Sequence, residues 1–213
     1  TLDNGMEVFV KTDRRAPVVT SMVWYRVGGV DEVRGRTGIS HLLEHMMFKG
    51  TEKVGPGELS EIIARNGGKE NAFTGQDYTA YFEQMAADRL EVALRLEADR
   101  MRNLLLKPEE FQKERQVVME ERRLRVEDDP RSLAHETLRA VAFDAHPYGH
   151  PIIGWMEDLQ RLEVADLEAW YRRYYSPGNA RLVVAGDVEP ERVFKLAAKH
   201  FGDLPAGPGP AAV

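Results

Sequence analysis

The sequence predicts an α+β fold, a sandwich in which one largely antiparallel sheet is covered by helices. Strand-like and helix-like segments follow one another in mixed order, and two of the strand-like runs form an adjacent hairpin. With 213 residues, 43% of them hydrophobic, the chain can bury a sizeable core as one large domain or two small ones.

The segments 6–12 (MEVFVKT) and 18–29 (VVTSMVWYRVGG) are rich in β-branched and aromatic residues and flank the turn-like DRRAP, which predicts two strands. A helix is expected from about Ser40 to Phe48, stopped by Gly50, and another from after Pro56 to the pair Gly67 and Gly68. KENAFTGQDYTAYFEQM, 69–85, alternates as a hairpin turning at Gly75 to Asp77. Long helical patterns cover 87–106 and 108–129, interrupted by Pro108 and Pro130. Further helices are expected over 131–143 and 158–175, then a strand over 180–188 and a helix from Pro190 to His200. We assign residues 1–203 to one domain and the Gly- and Pro-bearing 204–213 to the start of a linker. The chain opens on Thr1 and closes in that linker-like tail, so a preceding segment and a longer protein beyond Val213 are both expected.

A net charge of -6 gives neither phosphate backbones nor anionic leaflets a surface to attract, so nucleic-acid and membrane-surface roles are disfavoured. The basic run Arg122 to Arg125 reads as a solvated helix face. No apolar run reaches the roughly 20 residues of a membrane span. Without cysteine there is no thiolate, so any metal must be held by His, Asp or Glu.

In GISHLLEHMMFKG, 38–50, a helical rotation of about 100° per residue puts Ile39, Leu42, Leu43, Met46 and Met47 on one half of the cylinder and His41, Glu44 and His45 on the other. Two histidines four residues apart lie one turn apart, so both rings can reach one zinc ion, while Glu44 can reach water at that ion without ligating it. The pattern is the inverted zinc-protease signature H-x-x-E-H. At this composition roughly 0.03 such matches are expected by chance, which favours metal chemistry over a plain solvated face.

A hydrolytic zinc site needs a third protein ligand. On the helix that begins at Pro108, the apolar residues Phe111, Val117, Val118 and Leu124 define a stripe centred near Glu114 and Glu121. A carboxylate on a core-facing stripe is costly unless a cation compensates it. Glu121 is therefore the ligand candidate, with Glu120 rotated toward the stripe's edge. Glu114 reads equally as a carboxylate that orients a histidine ring or as an inward salt bridge to Arg or Lys. His146 and His150 are separated by Pro147 and Gly149, so HPYGH reads as a turn, and His135 and His200 as surface or packing residues. NGGKEN lacks the glycine a phosphate loop requires.

With these pieces in hand, the sequence resembles the M16 family of zinc metallopeptidases, which includes insulin-degrading enzyme, pitrilysin and the mitochondrial processing peptidase. The resemblance runs over most of the chain and rests on HLLEH, ERQVVMEE and ENAFTGQDYTAYF, with LDNGMEVFV, WYRVGGVDE, HPYGHPIIG and NARLVVAGDV in the family's order. It implies an endopeptidase with one Zn²⁺ per domain, held by His41, His45 and Glu121, with Glu44 as the catalytic base. It also implies that Asn71, Ala72, Phe73 and Thr74 form an edge strand to which a peptide substrate adds. Periodicity alone makes them a plain hairpin strand, with Phe73 and Tyr78 as core packing. Family members use two homologous halves, the second of which commonly supplies an Arg and a Tyr to the substrate, so a C-terminal half or partner subunit is expected and the isolated chain should be weakly active or inactive. A periplasmic, exported location is preferred, with a cytoplasmic one open. Two rivals follow: a non-catalytic assembly subunit on the same fold, and S-ribosylhomocysteine lyase, whose cysteine chemistry this cysteine-free chain disfavours.

Overall fold

The computed structural model of the chain describes residues 1–209. Five strands, β1 (Glu7–Thr12), β2 (Val18–Tyr25), β3 (Lys69–Thr74), β4 (Thr79–Ala86) and β5 (Ala180–Gly186), form one sheet in the order β1-β5-β2-β4-β3. Only β1 and β5 run parallel, so the sheet is largely antiparallel as predicted, and β3 and β1 are its edges.

Strand alternation decides which face is covered. Val19, Ser21, Val23 and Tyr25 of β2 are buried, as are their cross-strand neighbours Tyr81, Glu83 and Met85 on β4 and Leu182 and Val184 on β5. Over this face pack α1 (Ile39–Met46), α2 (Glu58–Arg65), α3 (Leu90–Asn103), α4 (Pro108–Arg122), α7 (Val164–Tyr174) and α8 (Pro190–Phe201), which share a single core with it. α5 (Pro130–Ala142) and α6 (Met156–Arg161) complete the helices, and α5 carries no buried residue. The opposite sheet face is open, with Phe9 half exposed. Beneath α3 the buried Arg100 pairs with Glu97 and Glu83 and lies 4.4 Å over the ring of Tyr81, a charged staple between α3 and β4.

The helix α1 is held at its start by a residue outside it. The buried carboxylate of Glu32 accepts the backbone N–H of Gly38 at 2.7 Å and of Ser40 at 2.9 Å, satisfying donors that α1 itself leaves unpaired. Burial pushes the Glu32 carboxyl up to about 8 against the pull of these amides. Gly38 has φ 82, and a Cβ there would lie 2.5 Å from the carbonyl oxygen of Ile153, so only glycine fits.

Several boundaries differ from those the sequence predicts. The second strand ends at Tyr25 rather than 29 because the chain turns at Gly28, whose amide donates to Asp31 at 3.0 Å. The pattern over 108–129 is an α-helix to Arg122 and then a π-helical turn over Arg123–Glu127, marked by Asp128 N–H to Arg123 C=O at 2.8 Å. The single helix expected over 158–175 is two, because Glu163 starts α7 afresh by donating its amide to Asp166 Oδ2 at 3.0 Å. Of the tail assigned to a linker, Leu204 packs against the core and Ala206 accepts the amide of Gly178 at 2.9 Å, while 210–213 lie outside the described residues. Among the described residues, no helix is long and apolar enough to cross a membrane.

Replacing Glu32 by Ala leaves the amides of Gly38 and Ser40 unpaired in a buried place, at a cost of about 1–3 kcal/mol each. The expected outcome is a lower urea midpoint with an unchanged slope; an unaltered midpoint would show that α1 does not depend on this carboxylate.

Candidate metal centre

α1 and α4 pack side by side, and this brings the two histidines of one against a carboxylate of the other. His41 Nε2 lies 3.7 Å and His45 Nε2 3.4 Å from Glu121 Oε2, and one ligand atom from each of the three residues falls within 4.8 Å of the others. Zinc bonds of 2.0–2.1 Å in tetrahedral array separate the ligand atoms by about 3.3 Å, so these distances suit one shared ion. The donor set is chemically right for zinc, two neutral imidazoles and one carboxylate. Glu121 Oε2 is buried and has no hydrogen-bond partner, the state expected of an oxygen that faces a cation.

The surroundings fix which atoms face the centre. His45 Nδ1–H donates to Glu114 Oε1 at 3.0 Å, which leaves Nε2 as the free acceptor. Glu114 also pairs through Oε2 with Lys49 Nζ at 2.5 Å, so the two readings of Glu114 open in the sequence hold together. Burial opposes its ionisation, but the His45 and Lys49 contacts outweigh that and hold its carboxyl below the ordinary value. Burial, with the His45 and Arg125 charges, pushes His41 down to about 3, so this ring is a neutral base ready to ligate. Arg125 forms an ion pair with Glu121 Oε1 at 2.9 Å, while Oε2 lies toward the histidines.

Glu44 projects beside the histidines and accepts a short hydrogen bond from Thr74 Oγ1. Burial raises its pKa, while Thr74 and His45 pull it back. Thr74 ends β3, and Asn71, Ala72, Phe73 and Thr74 line the same groove of about 540 Å³ as His41, Glu44, His45 and Glu121. Among the described residues β3 pairs only with β4, which leaves its other edge free toward that groove. Phe73 and Tyr78 pack with Trp24 in an edge-on aromatic cluster, with ring centroids 5.4 and 5.2 Å from that of Trp24.

The helical stripe used to find Glu121 is only half right: Phe111 and Val118 are buried, but Val117 is 49% and Leu124 70% exposed. Leu124 lies in the π-helical turn, where rotation by 100° per residue no longer applies. Arg122 to Arg125 are not a uniform solvated face either. Arg122 is buried and bidentate to Glu136 at 2.8 and 2.9 Å, and Arg125 braces Glu121. The Glu121 to Arg125 spacing of four, acid first, was a readable signal for that brace. His146 and His150 flank a 3₁₀ turn, His135 is exposed, and His200 pairs with Glu91 at 3.2 Å.

A family profile described as Insulinase (Peptidase family M16) matches residues 7–155, and one described as Peptidase M16 inactive domain matches 161–213. The chain is 40% identical over 205 residues to the zinc protease PqqE of Helicobacter pylori, covering 96% of this chain and 46% of that relative. It is 31% identical over 210 residues to the mitochondrial-processing peptidase subunit beta of Blastocladiella emersonii, covering 99% of this chain and 45% of that one. A crystal structure of a protease from Helicobacter pylori superposes with a TM-score of 0.96 at 39% identity, over 100% of this chain and 51% of that one. The chain thus spans about half the length of the curated relatives it matches.

Loss of the bond that orients His45 weakens metal affinity without removing a ligand. Glu114→Gln is expected to lower zinc affinity about 10–100-fold, read by competition with a chelating dye. A variant that binds as tightly as the parent would deny Glu114 this role.

Proposed function

The chain belongs to the M16 peptidase family, and from that premise we propose that it is the metal-binding half of a zinc-dependent endopeptidase. The observation that carries this reading is the meeting of His41, His45 and Glu121 around one point, with Glu44 beside it and a free strand edge along the same groove. All five residues of the centre, Glu114 included, fall within the stretch matched by the Insulinase profile and outside the one described as inactive. A non-catalytic assembly role on the same fold would require none of them.

His41, His45 and Glu121 would hold the zinc ion, one per domain. When bound, the ion supplies Lewis acidity, lowering the pKa of water toward about 7 and polarising the scissile carbonyl. Glu44 takes the proton of the attacking water and passes it to the leaving amine. Burial suits it to that work, because raising the pKa of a carboxylate makes it a stronger base. Thr74 fixes one oxygen of Glu44 and leaves the other to the reacting water.

The substrate is a peptide or an unfolded protein segment that lies along β3 as an added strand, its main chain paired with Asn71 to Thr74. The amide of Ala72 is met by Asn71 Oδ1 at 2.8 Å, a local bond that an incoming strand exchanges for its own carbonyl. The zinc-binding domain includes Leu204 and Ala206, which pack on it, and a second homologous half, on the same chain or on a partner, closes over the groove. Relatives about twice as long support that arrangement.

Glu44→Gln keeps the shape of the site and removes the base. Peptide cleavage should fall about 10²–10⁴-fold while zinc remains stoichiometric. Undiminished cleavage by the pure, zinc-loaded variant would remove Glu44 from the mechanism.

A further inference from the structure

A second cleft, of about 450 Å³, opens beside the metal centre and shares four lining residues with its groove: Arg125, Val126, Ile152 and Ile153. Its far wall is one face of α5, where Arg131, His135 and Arg139 recur every fourth residue. Among the described residues neither Arg131 nor Arg139 belongs to an ion pair; Arg139 donates only to the carbonyl of Tyr148, at 2.8 Å. The one acid in the lining, Glu136, is already neutralised by its two bonds to Arg122. In a molecule whose net charge is -6, this cleft is therefore locally cationic.

Its chemistry selects a ligand. Guanidinium groups pair with carboxylates through two parallel N–H bonds, and the apolar wall of Val126, Pro151, Ile152 and Ile153 limits screening by water. A peptide stretched along β3 past Glu121 meets this cleft across the shared wall. We propose that the cleft is a carboxylate-binding subsite, in which Arg131 and Arg139 give preference to peptides carrying a carboxylate close to the bond at the metal centre. The inference rests on the peptidase reading for the identity of the ligand as a peptide, and on the charge pattern for the preference itself.

The carboxylate has two sources, an Asp or Glu side chain or a free C-terminus. The test uses the zinc-loaded Glu44→Gln protein, so that binding is read without turnover, and fluorescein-labelled peptides of one sequence with Glu or Gln at each position in turn, each made with a free or amidated C-terminus. At one position Glu should bind about tenfold more tightly than Gln, the effect expected of a charged hydrogen bond. If the C-terminus is the source, amidation produces the loss instead. Arg131→Gln with Arg139→Gln should abolish that ratio while zinc content and thermal midpoint stay those of the parent, as expected for side chains at a partly exposed face. Equal affinities throughout, or a preference that survives the double substitution, overturns the subsite. Failure of the zinc-loaded parent to cleave any peptide even when joined to its second half, with the Arg-dependent ratio intact, overturns the peptidase reading and leaves the subsite standing.

Discussion

The two oxygens of Glu121 do different work, and the site depends on that division. Oε1 is held by Arg125 from one turn further along the same helix, and Oε2 is left buried, unpaired and aimed at two imidazoles from another helix. A buried carboxylate oxygen without a donor is costly by itself, and a cation seated between it and the two imidazoles would offset that cost. A cation bound there, as proposed, would compensate that oxygen, and binding free energy and local folding free energy would then be shared.

The rest of the fold is what lets α1 bring its histidines to that oxygen. Glu32 reaches back to the amides of Gly38 and Ser40 and sets where the helix begins, and Gly38 permits the contact with the 153–154 backbone that seats it. Glu114, one heptad before Glu121 on α4, holds His45 Nδ1 at 3.0 Å, so a single helix face supplies both a candidate ligand and the group that orients another. The sheet contributes its edge: β3 lies against α1, and Thr74 at its end touches Glu44. Any peptide that completed the sheet at β3 would therefore pass beside Glu44 and the proposed metal ligands together.

Much of this was legible in the sequence because it is local. HLLEH declares its helix face through a four-residue spacing, and the hairpin over 69–85 declares itself through alternation around a glycine turn. Glu121 was singled out as a candidate from Phe111 and Val118, which are buried, in spite of Val117 and Leu124, which are not. The widened turn after Arg122 defeats helical arithmetic there, and no pattern in RRLRVE signals it. The contacts that escaped the sequence join distant elements: Thr74 with Glu44, Lys49 with Glu114, Arg122 with Glu136, and the buried Arg100 with Glu83. The cationic cleft escaped for the same reason, being assembled from α5, the π-helical turn and the 149–153 loop.

Anomalous diffraction at the zinc absorption edge, from crystals of the zinc-loaded protein, tests the central claim most directly. One strong peak is expected with His41 Nε2, His45 Nε2 and Glu121 Oε2 all at about 2.0–2.2 Å. A peak elsewhere, or a Glu121 carboxylate given over wholly to Arg125 with the two imidazoles left to themselves, would contradict it.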